Sequence, residues 1–148
     1  MLALRDKLSC RDRIHFVGKI PPPRLFAAYR AADVFVFPSL VETFGLSLVE
    51  AMASGVPVVA SDWRLSPGGE ANQFNVGPEI CVDAAEYFNP LDRHSLVDAM
   101  ERVVANPQRQ EELIHRGRVR VQDFSWEKSA RELLHILEDA VACRGTRG

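Results

Sequence analysis

Cysteine and long apolar runs are both scarce in this chain of 148 residues. The three cysteines, Cys10, Cys81 and Cys143, are odd in number and far apart, which excludes a disulfide framework and a metal-binding spacing. The best apolar stretch, residues 31–37, is interrupted by Asp33 and falls well short of the ~20 residues that cross a membrane. The N-terminus shows no signal-peptide pattern. We therefore expect a reducing, cytoplasmic setting.

The overall composition is that of a soluble globular domain. Hydrophobic residues make up 47% and charged residues 26%, which excludes a disordered tail, a collagen-like fibre and a coiled coil. The length suits one domain that can bury a core without cross-links.

The charges are unevenly distributed around the net value of −2. Residues 1–30 hold seven Lys/Arg against two Asp/Glu, whereas residues 33–99 hold two against ten. The acidic middle argues against nucleic acid as a partner, because such binding depends on neutralising phosphates. The basic N-terminal segment is compatible with a nucleotide or with peripheral contact to the inner face of an anionic membrane, and equally with a solvated surface.

Apolar patterning predicts strands that alternate with helices. Val34–Phe37 and Pro57–Ala60 are solid apolar runs, typical of strands buried on both faces of a parallel sheet, and Ile14–Val17 is predicted as a further strand. Shorter extended pieces are predicted at 80–82 and 85–88. Helices are predicted at 1–9, 24–32, 46–54, 95–105, 108–122 and 126–142. The sequence therefore predicts an α/β fold with a Rossmann-like parallel sheet and helices on both faces.

The ends of these segments carry further signals. Gly55 is predicted to end the third helix, and Ser125 to cap the last one. An apolar stripe on the last helix is predicted to face the core, and residues 143–148 to form a loose tail. The stripe consists of Leu133, Leu134, Leu137 and Val141.

Ligands of parallel sheets bind beyond the carboxyl ends of the strands. These ends are predicted at Gly18, at Pro38–Ser39 and at Ser61–Asp62. After Ser39 the chain enters a helix at Gly45, where free amides and the helix dipole favour an anion such as a pyrophosphate.

Two carboxylates, Glu42 and Glu50, flank this predicted anion site. Because a carboxylate accepts more than one hydroxyl hydrogen, the pair suits the two ends of an elongated, sugar-containing ligand. The alternative is that Glu42 is a solvated loop residue and Glu50 lies on the wet side of its helix. Glu50, however, lies within an otherwise almost wholly apolar helix, so it requires a polar partner.

The stretch Pro38–Ser61 resembles the signature of retaining GT-B glycosyltransferases of family 4 (glycosyl transferases group 1). Its pattern is Pro-Ser-x-x-Glu-x-Phe-Gly-Leu-x-x-x-Glu-Ala-Met-Ala-x-Gly-x-Pro-Val-Val-Ala-Ser. The resemblance extends over nearly the whole chain, through Arg13–Gly18, Ala32–Val34, Pro78–Glu79, Asp83–Asp92 and Phe124–Trp126.

The resemblance implies the C-terminal, donor-binding half of a GT-B fold. The implied reaction is transfer of a mannosyl or glucosyl group, with retention, from a nucleotide-diphosphate sugar to a glycan or glycolipid acceptor. By resemblance Glu42 is the catalytic residue and contacts the donor sugar, and Glu50 binds the ribose. The remaining donor-binding residues implied are Gly18, Ser39, Thr43, Phe44, Gly45 and Leu46. Neither a metal nor another cofactor is implied, since the helix dipole and cationic side chains stabilise the leaving diphosphate.

The chain departs from the family pattern at two places. Residues 1–142 match a partial donor domain, so we expect the acceptor domain, the first two strands and their Arg/Lys pair to be missing and the isolated chain to be inactive. The missing strands would lie between residues 14–17 and 34–37, which then either pair directly or leave an exposed edge. The loop at 63–77 is long, so Glu70 and Glu79 are both candidates for the next acidic family position, with the downstream spacing favouring Glu79.

Two other interpretations compete with a transferase. A non-catalytic remnant that binds nucleotide or a partner chain would share the same sequence pattern. A different nucleotide-binding α/β enzyme is disfavoured, because the three spaced glycines of the dinucleotide fingerprint are absent.

Overall fold

The structure, a computed structural model, describes residues 2–67 and 75–145. Three strands and seven α-helices lie in these ranges, with two single 3₁₀ turns at Arg11–Arg13 and Trp63–Leu65. The strands are β1 (Phe35–Phe37), β2 (Val58–Ser61) and β3 (Ala85–Phe88). The helices are α1 (Leu2–Arg5), α2 (Pro22–Arg30), α3 (Leu46–Ser54), α4 (Gly77–Cys81), α5 (Arg93–Val104), α6 (Pro107–Val121) and α7 (Trp126–Gly145).

The strands form one parallel sheet in the order β1-β2-β3. Phe35 lies opposite Val58, and Val58 lies opposite Ala85. All four residues of the central strand β2 are buried, as its solid apolar run predicted. The α/β fold with a parallel sheet is confirmed.

Side chains that alternate along β2 enter two different cores. Val58 and Ala60 pack with Leu48 and Met52 of α3 on one face. Val59 packs on the other face with residues of β3, α5 and α6, namely Phe88, Ala99, Val103 and Leu113. Helices therefore cover both faces of the sheet, as predicted.

The predicted strand at Ile14–Val17 is wrong. Residues 14–20 have no regular secondary structure, and Phe16 and Val17 are exposed. A strand needs a neighbouring backbone to satisfy its amides and carbonyls, and β1 pairs with β2 alone among the described residues. Of the two expected outcomes, the exposed sheet edge is the one formed.

The predicted extended piece at 80–82 is also wrong. Ile80 and Cys81 belong to the short helix α4, which begins at Gly77 with Pro78 in its first turn. Val82 then reverses the chain with a positive φ of 53°. A three-residue apolar run does not distinguish a strand from a buried helical turn.

Helix α7 begins where the sequence predicted, and Lys128 N donates to Ser125 Oγ at 3.3 Å, which confirms Ser125 as the cap. The helix continues to Gly145, past the predicted end at residue 142. Its apolar stripe is exposed rather than packed in the core, with Leu133 57% and Val141 71% accessible. No helix in the two described ranges is long and apolar enough to cross a membrane.

Candidate functional site

The carboxyl ends of β1 and β2 are joined by side-chain hydrogen bonds. Ser61 Oγ donates to the Ser39 carbonyl at 2.6 Å. Asn75 Nδ2 donates to the same carbonyl at 3.4 Å and to Ser61 Oγ at 3.1 Å. These bonds fix the start of the loop 38–45, and Trp63 Nε1 holds its middle by donating to the Leu40 carbonyl at 2.8 Å.

Glu42 turns its carboxylate onto the backbone of this loop. Its Oε1 accepts from Thr43 N at 2.8 Å and from Phe44 N at 3.2 Å. These amides, first that of Phe44 and then that of Thr43, with a smaller contribution from Gly45, lower the pKa of Glu42 from its ordinary value. Two loop amides thus bind an anionic oxygen, and this anion is the chain's own carboxylate.

Gly45 makes the junction between this loop and α3. Its φ of 77° lies in the left-handed region. A Cβ at this position would lie 3.0 Å from Leu48 Cδ1 and 3.6 Å from Glu42 Cγ. The backbone conformation therefore favours glycine here, and a Cβ would also press on the side chain of Leu48.

Glu50 points from α3 towards α2. Tyr29 Oη donates to Glu50 Oε2 at 3.2 Å. Burial, followed by the Glu50 charge and this hydrogen bond, raises the pKa of Tyr29 to about 12. The polar partner that the apolar helix required is therefore Tyr29.

Comparison with known proteins identifies the family. The family described as "Glycosyl transferases group 1" matches residues 1–120. The chain belongs to this family.

Curated relatives in the group 1 family carry transferase names. The chain is 31% identical over 148 residues to "D-inositol 3-phosphate glycosyltransferase" of Corynebacterium glutamicum (strain R), covering 98% of this chain and 32% of that protein. It is 34% identical over 137 residues to "MMP alpha-(1->4)-mannosyltransferase" of Mycolicibacterium hassiacum, covering 92% and 31%. The chain thus spans about a third of the length of these relatives.

Two solved structures resemble the fold of this group 1 chain. Sucrose-phosphate synthase from Thermosynechococcus elongatus superposes with a TM-score of 0.74 at 37% identity, covering 95% of this chain and 33% of that one. The C-terminal domain of the glycosyl transferase group 1 family protein LpcC from Francisella tularensis gives a TM-score of 0.55 at 25% identity, covering 74% and 51%.

The structure brings most of the predicted site residues of this family member into one loop. This loop contains Ser39 and the four consecutive residues Glu42, Thr43, Phe44 and Gly45. Leu46 is the first residue of α3. Ser39 also uses its hydroxyl within the loop, donating to the Val41 carbonyl at 2.8 Å.

Gly18 lies in a separate, irregular segment. It is exposed, with a φ of 63°, and open space surrounds the position that a Cβ would take.

Of the two candidates for the next acidic family position, Glu70 lies outside the described residues. Glu79 is exposed on α4, and its carbonyl accepts from Arg120 Nη2 at 3.0 Å. The preference for Glu79 over Glu70 therefore rests on the downstream sequence spacing.

Sequence reasoning missed three residues that support the site: Tyr29, Trp63 and Asn75. Tyr29 could have been found, because Glu50 requires a polar partner and the apolar pattern places Tyr29 and its hydroxyl on the face of α2 that packs inward. Nothing in the sequence distinguishes Asn75. Within the described ranges, no three His, Cys, Asp or Glu side chains are grouped so that they hold a metal ion.

Proposed function

We propose that this chain is the donor-binding part of a glycosyltransferase. The reaction would transfer a mannosyl or glucosyl group, with retention, from a nucleotide-diphosphate sugar to a glycan or glycolipid acceptor. The observation that carries this proposal is the pair of Thr43 and Phe44 amides in the loop that leads into α3, which already hold an anionic oxygen. Phosphate and sugar oxygens are acceptors of the same kind.

In this proposal the loop and α3 hold the donor along its length. Glu42 contacts the sugar, while the amides of Phe44, Gly45 and Leu46 bind the sugar and diphosphate oxygens. Ser39 and Thr43 line the approach to these amides. The leaving diphosphate is stabilised by the dipole of α3 and by the Arg/Lys pair that the resemblance assigns to the two missing strands, without a metal ion.

Glu50 binds the ribose hydroxyls of the nucleotide. Tyr29 holds one oxygen of its carboxylate, which fixes the orientation of the group. A carboxylate so held still accepts hydroxyl hydrogens, because each oxygen has two lone pairs. Gly18, with open space around its α-carbon, is assigned by family resemblance to the side of the nucleotide base.

The acceptor and the domain that binds it are assigned to sequence outside this chain. The relatives with transferase names are about three times as long as the matched region. Association with the inner face of a membrane would use the basic segment 1–30.

The experiment that tests the proposal is calorimetric titration of the chain with UDP, GDP, UDP-glucose and GDP-mannose. We expect the chain to bind either the uridine or the guanosine nucleotides. Glu50→Ala should weaken this binding by about tenfold or more, since two contacts to ribose hydroxyls are lost. Glu111→Ala removes a carboxylate from the exposed face of α6 and serves as the matched control, with unchanged binding. Circular dichroism checks that both variants are folded.

Failure of every nucleotide to bind the folded chain would overturn the proposal. That outcome would favour the alternative, a non-catalytic domain that binds a partner chain. If Glu50→Ala and Glu111→Ala weaken nucleotide binding equally, Glu50 does not contact the nucleotide.

A further inference from the structure

A series of contacts connects α4 to the junction between α6 and α7. Arg120 Nε donates to the Ile80 carbonyl at 2.8 Å, and its Nη2 donates to the Glu79 carbonyl at 3.0 Å. The same guanidinium lies over the ring of Phe124, 4.8 Å from its centroid. Phe124 is thereby fixed between the end of α6 and the main core, against which it packs.

Phe124 in turn contacts the loop that holds Glu42. The rings of Phe124 and Phe44 are 6.2 Å apart between centroids and inclined at 83°, an edge-to-face arrangement. Phe44 is 47% exposed, and an open groove of about 210 Å³ lies beside it, lined also by Leu46 and Trp126. Because the ring of Phe44 is not enclosed, its contact with Phe124 contributes much of its support.

The ring and the amide of Phe44 belong to one residue, so an anchored ring limits the movement of the amide. That amide donates to Glu42 Oε1 at 3.2 Å, beside the amide of Thr43 at 2.8 Å. The geometry of the anion-binding loop therefore depends on a residue that lies 80 positions later in the sequence.

We propose that Phe124 is a positioning residue for the donor site, acting through its edge-to-face contact with Phe44 on the two amides that bind Glu42. This inference rests on the proposed function only in that the Phe44 amide is one of the amides that receive the donor. The contact itself exists without any ligand and is tested without one.

The test is NMR spectroscopy of the full 148-residue chain. The amide signals of Thr43 and Phe44 are followed during a pH titration, in which they report the protonation of Glu42. The carboxylate of Glu42 accepts from the amides of Thr43 and Phe44, which lower its pKa, so the midpoint reports these amide contacts. Hydrogen exchange of the Phe44 amide is measured on the same samples.

In Phe124→Ala we expect the Glu42 midpoint to rise towards the ordinary value of 4.5. Exchange of the Phe44 amide should accelerate roughly tenfold, as expected for loss of about one hydrogen bond. Phe124→Tyr keeps the ring and should restore both values. Leu113→Ala, in the core on the other face of the sheet, destabilises the fold without touching this loop and should leave both values unchanged.

An unchanged Glu42 midpoint and exchange rate in Phe124→Ala would overturn the proposal. Equal changes in Leu113→Ala would also overturn it, because they would show a general loosening of the fold. UDP and GDP are then titrated into each variant. If neither binds the wild-type chain, the proposed function fails while the ligand-free result for Phe124 stands.

Discussion

At the scale of single residues, Val82 has the most strained backbone in the described ranges. Its φ of 53° and ψ of −101° are unfavourable for a β-branched residue, and the side chain is 54% exposed. Tyr87 Oη donates to its carbonyl at 2.8 Å and holds the turn in place. We expect Val82→Gly to raise the free energy of unfolding by about 1 kcal/mol, the relief of strain exceeding the entropy cost of glycine.

The matched control is Val119→Gly, which makes the same substitution at an exposed site within α6. There the backbone is helical, so glycine should lower the free energy of unfolding by about 0.5 kcal/mol, the difference between the helix propensities of valine and glycine. Urea denaturation of both variants measures whether the free energy of unfolding rises or falls. A decrease at both positions would show that the turn at Val82 is not strained.

Glu42 makes the stability of the fold depend on acid pH. Because its pKa is lowered in the folded chain, the carboxylate contributes stability above its ordinary value of 4.5, and this contribution is lost as the pH falls through the lower, folded value. We expect Glu42→Gln to lose less stability than the wild type between about pH 5 and about pH 3. The measurement is the free energy of unfolding at several pH values, and Glu111→Gln, on the exposed face of α6, should keep the wild-type dependence.

At the scale of elements, a polar pair joins α2 to α3. Tyr29 is buried, stacks edge-to-face on Phe35 at 5.2 Å, and donates to Glu50. In a double-mutant cycle of Tyr29→Phe and Glu50→Ala, we expect a coupling free energy of about 1 kcal/mol.

The control cycle combines Tyr29→Phe with Leu113→Ala, which lies on the opposite face of the sheet. These two effects should add within about 0.5 kcal/mol, because the residues share no partner. Additivity in the Tyr29–Glu50 cycle as well would show that the hydrogen bond does not join the helices in solution.

Elements with strong local signals were predictable from the sequence. Helix α3 has the predicted bounds because Gly45 and Gly55, with φ values of 77° and 76°, define both of its ends. Strand β2 follows from its solid apolar run. The segment 14–17 carries a similar apolar signal, but within residues 2–67 and 75–145 no strand lies beside it to satisfy its backbone, and sequence pattern alone does not reveal this.

The candidate site divides in the same way. The position of a loop with free amides before α3 follows from local signals, whereas the contact of Glu42 with the amides of Thr43 and Phe44 was not predicted, because the sequence assigned both to an external ligand. The contacts of Tyr29 with Glu50 and of Phe44 with Phe124 join distant parts of the chain. They depend on how the helices pack, which one sequence does not specify residue by residue.

At the scale of the whole molecule, two parts of the described structure expose groups that are usually covered: one edge of the sheet and the apolar stripe of α7. Strand β1 pairs on one side only among the described residues, and Phe16 and Val17 are exposed. Helix α7 is exposed at every residue from 126 to 141. The sheet edge belongs to the core, whereas residues 126–141 of α7 are exposed to solvent, so the two have different consequences for stability.

Removal of most of α7 should leave the fold intact. A chain that ends at Ala130 keeps Phe124, the Ser125 cap and the first turn, and it loses the exposed apolar stripe. Because that stripe buries little surface, we expect the free energy of unfolding to change by less than about 1 kcal/mol in urea denaturation. Leu113→Ala, at a fully buried position, is the control for a real loss of packing and should cost about 2–5 kcal/mol. A loss of that size in the shortened chain would contradict this prediction, because it would show that the apolar stripe of α7 packs against the domain in solution.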